Sequence, residues 1–170
     1  KNKKANIIVS PSDHLITNES EFNRIVRSCL NLCEKFKGLF TLGIKPSRPE
    51  TGYGYIQYNE EIISFNSEIK KVKTFTEKPD LELANKFLDS GDFLWNSGMF
   101  LWSVEAILNE FSQLLPDIYD LFLKGDKFYN TNLEASYIEK IYSSCKNISI
   151  DYGILEKSNS VFVYPSDFGW

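Results

Sequence analysis

The stretch IIVSPSDHLITNESEFNRIVRSCLNLCEKFKGLFTLGI, Ile7 to Ile44, decides the fold. It opens on three β-favouring residues, Ile7, Ile8 and Val9, which read as a fully buried strand. Apolar residues then recur at Phe22, Ile25, Val26, Cys29, Leu30, Cys33 and Phe36, the stripe of an amphipathic helix. Asn18 and Glu21 have the spacing of a capping box at its start. Gly38 follows, and LFTLGI reads as a second apolar strand. Strand, helix and strand at this length make a βαβ unit, for which a parallel sheet is the expectation. The fold class is α/β, with a mixed, mainly parallel sheet flanked by helices.

Between the first strand and the helix stands Ser-Pro-Ser-Asp-His. Ligands of open α/β sheets sit just outside the carboxyl ends of the strands. Asp13 is therefore either a turn-former or a ligand for something charged, and the stretch alone leaves both open.

Outward from this unit, KPSRPETGYGYI is dense in Pro and Gly and leads into a strand near Tyr53–Tyr58. EEIISFNSEIKKVKTFTEKP offers further strand. Asp80 caps a helix through Leu81, Ala84, Phe87 and Leu88, and Gly91 ends it. GMFLWS reads as a buried strand that feeds a helix from about Val104 to Leu115. Further helical stretches cover roughly Asp117–Leu123 and Leu133–Ser143, DYGILEKS reads as a short helix, and SVFVYP as the closing strand. No repeat or low-complexity linker divides the chain, so residues 1–170 read as one mixed α/β domain.

The bulk composition excludes several classes. The 170 residues are 42% hydrophobic, enough to bury a sizeable core. Thirteen Phe, nine Tyr and three Trp make that core, and any cleft in it, rich in rings. A net charge of -4 argues against nucleic-acid or membrane binding through the global field. No apolar run approaches the roughly 18 residues of a membrane span. Cys29 and Cys33 lie one helical turn apart and Cys145 stands alone, with no nearby His or carboxylate set to complete a metal site. They read as core thiols, which fits a reducing, cytoplasmic setting.

Four polar clusters follow or interrupt strands: Ser12-Asp13-His14, Glu50 to Tyr55, Glu77-Lys78-Pro79, and Trp95-Asn96-Ser97-Gly98. Each has an ordinary reading, as a turn or as solvated surface. Together they have a chemical one. Gly54 lets backbone approach a ligand that a Cβ would push away. The Glu77 carboxylate suits the two hydroxyls of a vicinal diol, and Lys78 supplies a compact charge for a phosphate. Asn96 both donates and accepts, which suits an orientation-sensitive hydroxyl. Asp13 offers a hard oxygen ligand for Mg²⁺, which binds through one or two carboxylates plus substrate phosphates. Sugar, phosphate and metal point to a sugar phosphate reacting with a nucleotide.

SPSDHLI, GIKPSRPETGYGYI, FTEKP, WNSGMFLW, SIDYGILEKS and DFGW resemble, in the same order, segments of mannose-1-phosphate guanylyltransferases. That resemblance implies a nucleotide-diphospho-sugar transferase (Rossmann-like) fold and formation of GDP-mannose and pyrophosphate from GTP and mannose 1-phosphate. By position it implies Asp13 as a Mg²⁺ ligand and catalytic residue. It likewise implies Gly54 and Glu77 at the sugar, Lys78 at the sugar phosphate in a catalytic role, and Asn96 and Asp151 lining the sugar pocket. His14 reads as shaping the turn and not as a base. The family's Gly-x-Gly-x-Arg…Pro-Lys signature is absent, and its second metal aspartate normally follows Phe-Gly-Trp as Ser-Asp, so Asp167 is not that residue. The expectation is a partial domain, a fragment inactive on its own, whose parent acts on small-molecule substrates. Self-association as a homo-oligomer stays open. The alternatives are a sugar-1-phosphate nucleotidyltransferase of other sugar or base specificity, or a non-catalytic sugar-phosphate-binding regulatory module.

Overall fold

The computed structural model describes residues 2–59 and 68–170, so the part of the expected strand in 60–67 lies outside the described residues. Helix α1 (Glu19–Lys35) starts at the Asn18 cap, whose Oδ1 accepts the Glu21 amide at 3.1 Å. The other half of the expected capping box is not made. Arg24 Nε and Nη2 each donate to the Glu21 carboxylate at 2.8 Å, and the Asn18 amide goes to the Phe168 carbonyl at 3.0 Å. A bidentate guanidinium outcompetes a single amide for a carboxylate.

The strands are β1 (Asn6–Val9), β2 (Leu39–Ile44), β3 (Tyr55–Tyr58), β4 (Lys70–Thr76), β5 (Phe93–Ser103) and β6 (Val161–Ser166). The remaining helices are α2 (Leu81–Ser90), α3 (Val104–Leu114), α4 (Pro116–Leu123) and α5 (Glu134–Tyr142), with a single π-helical turn at Asp151–Leu155. They form two compact units, 1–106 with 159–170, and 107–158. Every strand belongs to the first.

The sheet is mixed, as expected, but it is not mainly parallel. Its order is β1-β5-β2-β6-β4-β3, with β5 also pairing β3. Among the described residues only β2–β6 is a parallel pair; β1–β5, β2–β5, β3–β4, β3–β5 and β4–β6 are antiparallel. The βαβ unit is real, because β1 and β2 run the same way, but β5 lies between them and opposes both. A crossover helix sets the relative direction of two strands, not their adjacency. The long apolar β5 takes the central place because both of its edges find ladders.

Helix α1 buries Ile25, Cys29, Leu32 and Cys33 against Phe40 and Leu42 of β2 and Met99 and Leu101 of β5. Each such side chain contributes about 1.5–3 kcal/mol on leaving water. A second cluster joins Ala84 and Phe87 of α2 to Tyr55, Phe93 and Trp95. Asp80 Oδ1 caps α2 through the Leu83 amide at 2.8 Å, and Gly91 ends it in the left-handed conformation at φ 77°. Pro116 opens α4, where its missing N–H costs nothing. In the second unit the Tyr129 and Tyr137 hydroxyls donate to the carbonyls of Phe122 and Leu121, both at 2.7 Å. No described helix is long and apolar enough to cross a membrane.

Cys29 and Cys33 are free core thiols, each pushed up to about 12 by burial, while Cys145 is free and only partly covered. A thiolate-selective reagent should therefore modify Cys145 in the folded protein and reach Cys29 and Cys33 only in denaturant. Mass mapping of the labelled positions checks this, and native labelling of Cys29 would mean that α1 does not stay packed.

Candidate active site

Trp95-Asn96-Ser97-Gly98 is a turn signal by composition, yet it lies inside β5, which begins at Phe93 rather than at Gly98. Phe40 and Thr41 of β2 face Leu101 and Phe100, whereas Gly43 and Ile44 face Asn96 and Trp95. Leu42 alone thus spans Ser97 to Met99, and β5 bulges there, with Gly98 at φ 71°. Side chains replace the lost ladder bonds. Ser97 Oγ donates to the Leu42 carbonyl at 2.7 Å and accepts the Met99 amide at 3.3 Å. The Thr41 hydroxyl lies 3.1 Å from the Met99 carbonyl and 3.2 Å from Asn96 Oδ1, which also accepts the Gly98 amide at 3.1 Å.

This bulge holds Asn96 against the segment before β3. The Asn96 amide donates to the Gly54 carbonyl at 2.8 Å. A Cβ at Gly54 would fall 2.5 Å from Glu77 Oε2 and 3.3 Å from Asn96 Cβ, so glycine is needed here for space. Glu77 follows β4 directly and its side chain is 10% exposed, while that of Lys78 is 59% exposed. On a regular strand the two would point to opposite faces. Instead Lys78 takes a left-handed conformation (φ 47°), its amide donates to the Tyr53 carbonyl at 3.2 Å, and its Nζ lies 3.0 Å from Glu77 Oε1. Four of the residues singled out in the sequence, Gly54, Glu77, Lys78 and Asn96, therefore converge. The result is a sheltered carboxylate beside a cation whose head reaches solvent, which suits a ligand with hydroxyls on one side and an anion on the other.

Asp13 is exposed in the loop after β1, and its carboxylate has no hydrogen-bond or ion-pair partner among the described residues. An aspartate that builds a turn accepts a nearby backbone amide. Asp13 does not, so its exposed carboxylate stays available to a ligand. The loop passes the bulge, with Pro11 Cγ 3.4 Å from where a Gly98 Cβ would stand. Among the described residues no group of three or more His, Cys, Asp or Glu side chains is placed to hold a metal. A lone outward carboxylate fits Mg²⁺, which keeps several waters and takes the rest of its ligands from phosphates. Asp151 belongs to the second unit, where it begins the π-helical turn and its carbonyl accepts the Glu156 amide at 2.9 Å.

Sequence reasoning gave no supporting role to several residues that stiffen the site. Thr41 had a signal, as the one hydroxyl in an apolar run. Glu50 organises the Pro-Glu-Thr-Gly-Tyr loop: its Oε1 accepts the Gly52 amide at 3.1 Å and its own amide donates to the Tyr55 hydroxyl at 2.9 Å. The Gly52 amide first, and then the Arg48 guanidinium, hold the Glu50 carboxyl below its ordinary value. Arg48 also lies over the Trp95 ring, 5.2 Å from its centroid. His14 Nδ1 accepts the Trp170 indole N–H at 2.8 Å, a bond between residues that no sequence pattern pairs. A cleft of about 660 Å³ lies wholly within the second unit, lined by residues such as Phe111, Tyr119, Phe122 and Tyr142. None of the sequence-predicted residues lines it, and its walls are largely apolar, which does not suit a sugar phosphate.

Residues 1–143 match the Nucleotidyl transferase family. An Escherichia coli protein named mannose-1-phosphate guanylyltransferase is 36% identical over 173 residues, 99% of this chain and 37% of that protein. A Thermus thermophilus crystal structure, described as a mannose-1-phosphate geranyltransferase, superposes with a TM-score of 0.82 at 27% identity, covering 97% of this chain and 45% of that one. A Helicobacter pylori structure described as a mannose-6-phosphate isomerase also gives 0.82, at 26% identity over all of this chain and 65% of that one. The chain thus spans little more than a third of the E. coli relative's length. With a strand-end carboxylate and a glycine-backed Glu-Lys pair on the same sheet, and a family match over most of its length, this chain belongs to the nucleotidyl transferase family.

Proposed function

We propose that the protein containing this chain forms GDP-mannose and pyrophosphate from GTP and mannose 1-phosphate. The observation that carries this reading is the convergence of Gly54, Glu77, Lys78 and Asn96 around one sheltered carboxylate. The names of the E. coli, Thermus and Helicobacter relatives share a mannose phosphate, which supports the sugar; the guanine base rests on the E. coli name. The free cysteines support a reducing, cytoplasmic setting.

In this reading the Glu77 carboxylate accepts two sugar hydroxyls, Asn96 orients a third, and the Lys78 ammonium holds the sugar phosphate. The attacking oxygen is already anionic, so no strong base is needed. It forms a bond to the α-phosphorus of GTP as the α–β bridging P–O bond breaks, and pyrophosphate leaves with that electron pair. Asp13 would hold Mg²⁺, which would supply charge neutralisation on the phosphates. The chain's own contribution is to align the two phosphates and to aim fixed charge at them.

Four substitutions in the full-length protein have distinct expected outcomes. Gly54→Ala puts a methyl where the Glu77 carboxylate sits, while the Gly54 backbone is one that alanine tolerates. Mannose 1-phosphate affinity should fall about tenfold or more with little change in Tm, a loss of roughly 1.4 kcal/mol in binding alone. Calorimetry and thermal melts separate the two, and a parallel loss of stability would make Gly54 a packing residue. Asp13→Asn keeps the size and removes the charge, so kcat should drop by about 10²–10³ at saturating Mg²⁺. A variant that keeps most of its kcat would end the metal-ligand reading. Glu77→Gln should blur discrimination between mannose 1-phosphate and its epimers. Lys78→Ala should weaken every sugar 1-phosphate alike, by about 1.5–3 kcal/mol for a charge-assisted hydrogen bond. Titration over a panel of sugar 1-phosphates reads both patterns, and unchanged affinities would make the pair ordinary surface.

A further inference from the structure

The loop carrying Asp13 is not pinned through Asp13 itself. It is pinned through the next residue: Trp170 Nε1 donates to His14 Nδ1 at 2.8 Å, with the rings edge to face at 5.3 Å. Trp170 is itself strapped down from both sides. On one side the Thr17 amide and hydroxyl donate to the Gly169 carbonyl at 3.1 and 3.2 Å, and the Asn18 amide donates to the Phe168 carbonyl at 3.0 Å. On the other side the Trp170 ring meets Tyr53 edge to face at 5.3 Å, and Tyr53 meets Trp95 in the same way at 5.3 Å. The row of rings His14, Trp170, Tyr53 and Trp95 therefore runs from the Asp13 loop to the sugar-phosphate residues. Its far end is joined to them covalently and by hydrogen bonds. The Tyr53 carbonyl holds the Lys78 amide at 3.2 Å, Gly54 follows Tyr53, and Asn96 follows Trp95.

We propose that His14 and Trp170 are positioning residues: their hydrogen bond sets the Asp13 carboxylate against the sugar-phosphate site, so that metal and sugar phosphate are held in register. Thr17 and Asn18 anchor the far end of the loop and Ile16 packs on the core, so the bond from Trp170 to His14 is the side-chain tie nearest Asp13; its loss frees that stretch, while the residues around Glu77 keep their own supports in the bulge and the Glu50 loop. The bond needs a bare Nδ1 as acceptor, and Asn supplies an acceptor at a similar reach while Leu does not. The inference rests on Asp13 being a metal ligand, which Asp13→Asn tests by itself.

The test uses the full-length protein and the variants Trp170→Phe, His14→Leu, His14→Asn and Asp13→Asn. Mn²⁺ serves as the metal probe, its free-ion EPR signal titrated in the presence of GDP-mannose; mannose 1-phosphate binding is measured by calorimetry in EDTA. Trp170→Phe keeps the ring and removes only the donor. Trp170→Phe and His14→Leu should each weaken Mn²⁺ binding about three- to tenfold, the range expected for one neutral hydrogen bond. Mannose 1-phosphate affinity should stay within about twofold, and His14→Asn should recover most of the metal affinity. Unchanged Mn²⁺ binding in Trp170→Phe and His14→Leu overturns the proposal. So does a parallel fall in sugar-phosphate affinity, which marks a general packing role, or a His14→Asn no better than His14→Leu. If Asp13→Asn leaves Mn²⁺ binding intact, the metal-ligand reading falls and the positioning role with it. If only Asp13→Asn weakens binding, the metal-ligand reading stands and the positioning role alone is lost.

Discussion

The rest of the first unit depends on the bulge at Ser97–Met99 in β5. This one strand pairs with β1, β2 and β3, so its two halves must satisfy different partners. An uninterrupted β5 would carry the register of Phe40–Leu101 straight through to Ile44 and place different residues opposite β3. The extra residues break that register, and the break leaves backbone groups without ladder partners. Thr41 and Ser97, both buried, supply the missing bonds from their hydroxyls. Buried polar groups in a sheet core are costly when unpaired and specifying when paired. Here they aim Asn96 at Gly54.

A second departure from regular structure sits across from the first. Lys78 holds a left-handed backbone that costs a non-glycine residue roughly 1–2 kcal/mol. Its return is geometric: Glu77 and Lys78, adjacent in the chain, bring their charged ends to within 3.0 Å of each other. Strain of this kind persists where surrounding structure enforces it, and the Tyr53 carbonyl on the Lys78 amide is part of that enforcement. Tyr53 thereby serves two neighbours, since its ring also stands between Trp95 and Trp170. The polar loop, the bent strand end and the ring row are one connected support.

Much of this was legible in the chain itself. The cap at Asn18, the cap at Asp80 and the stop at Gly91 are local, because each depends on a side chain or backbone freedom within three residues of the helix end. The stripe that buries Cys29 and Cys33 is equally local, a consequence of helical periodicity. The gathering of Gly54, Glu77, Lys78 and Asn96 was implied by the family resemblance of the motifs that carry them, and it requires a bend at Glu77-Lys78, because a regular strand would send the two to opposite faces.

Tertiary structure alone decided which strands are neighbours, since hydrogen-bond ladders form between segments far apart in sequence and periodicity carries no partner information. It turned an expected parallel β1–β2 pair into two strands separated by β5, and an apparent Asn-Ser-Gly turn into a bulge. It also brought His14 to Trp170 across most of the length of the chain. A local pattern fixes what a residue offers: a carboxylate, a ring, a bare Cβ position. What that residue meets is set by packing, because each contact forms only once every element between the two has found its place.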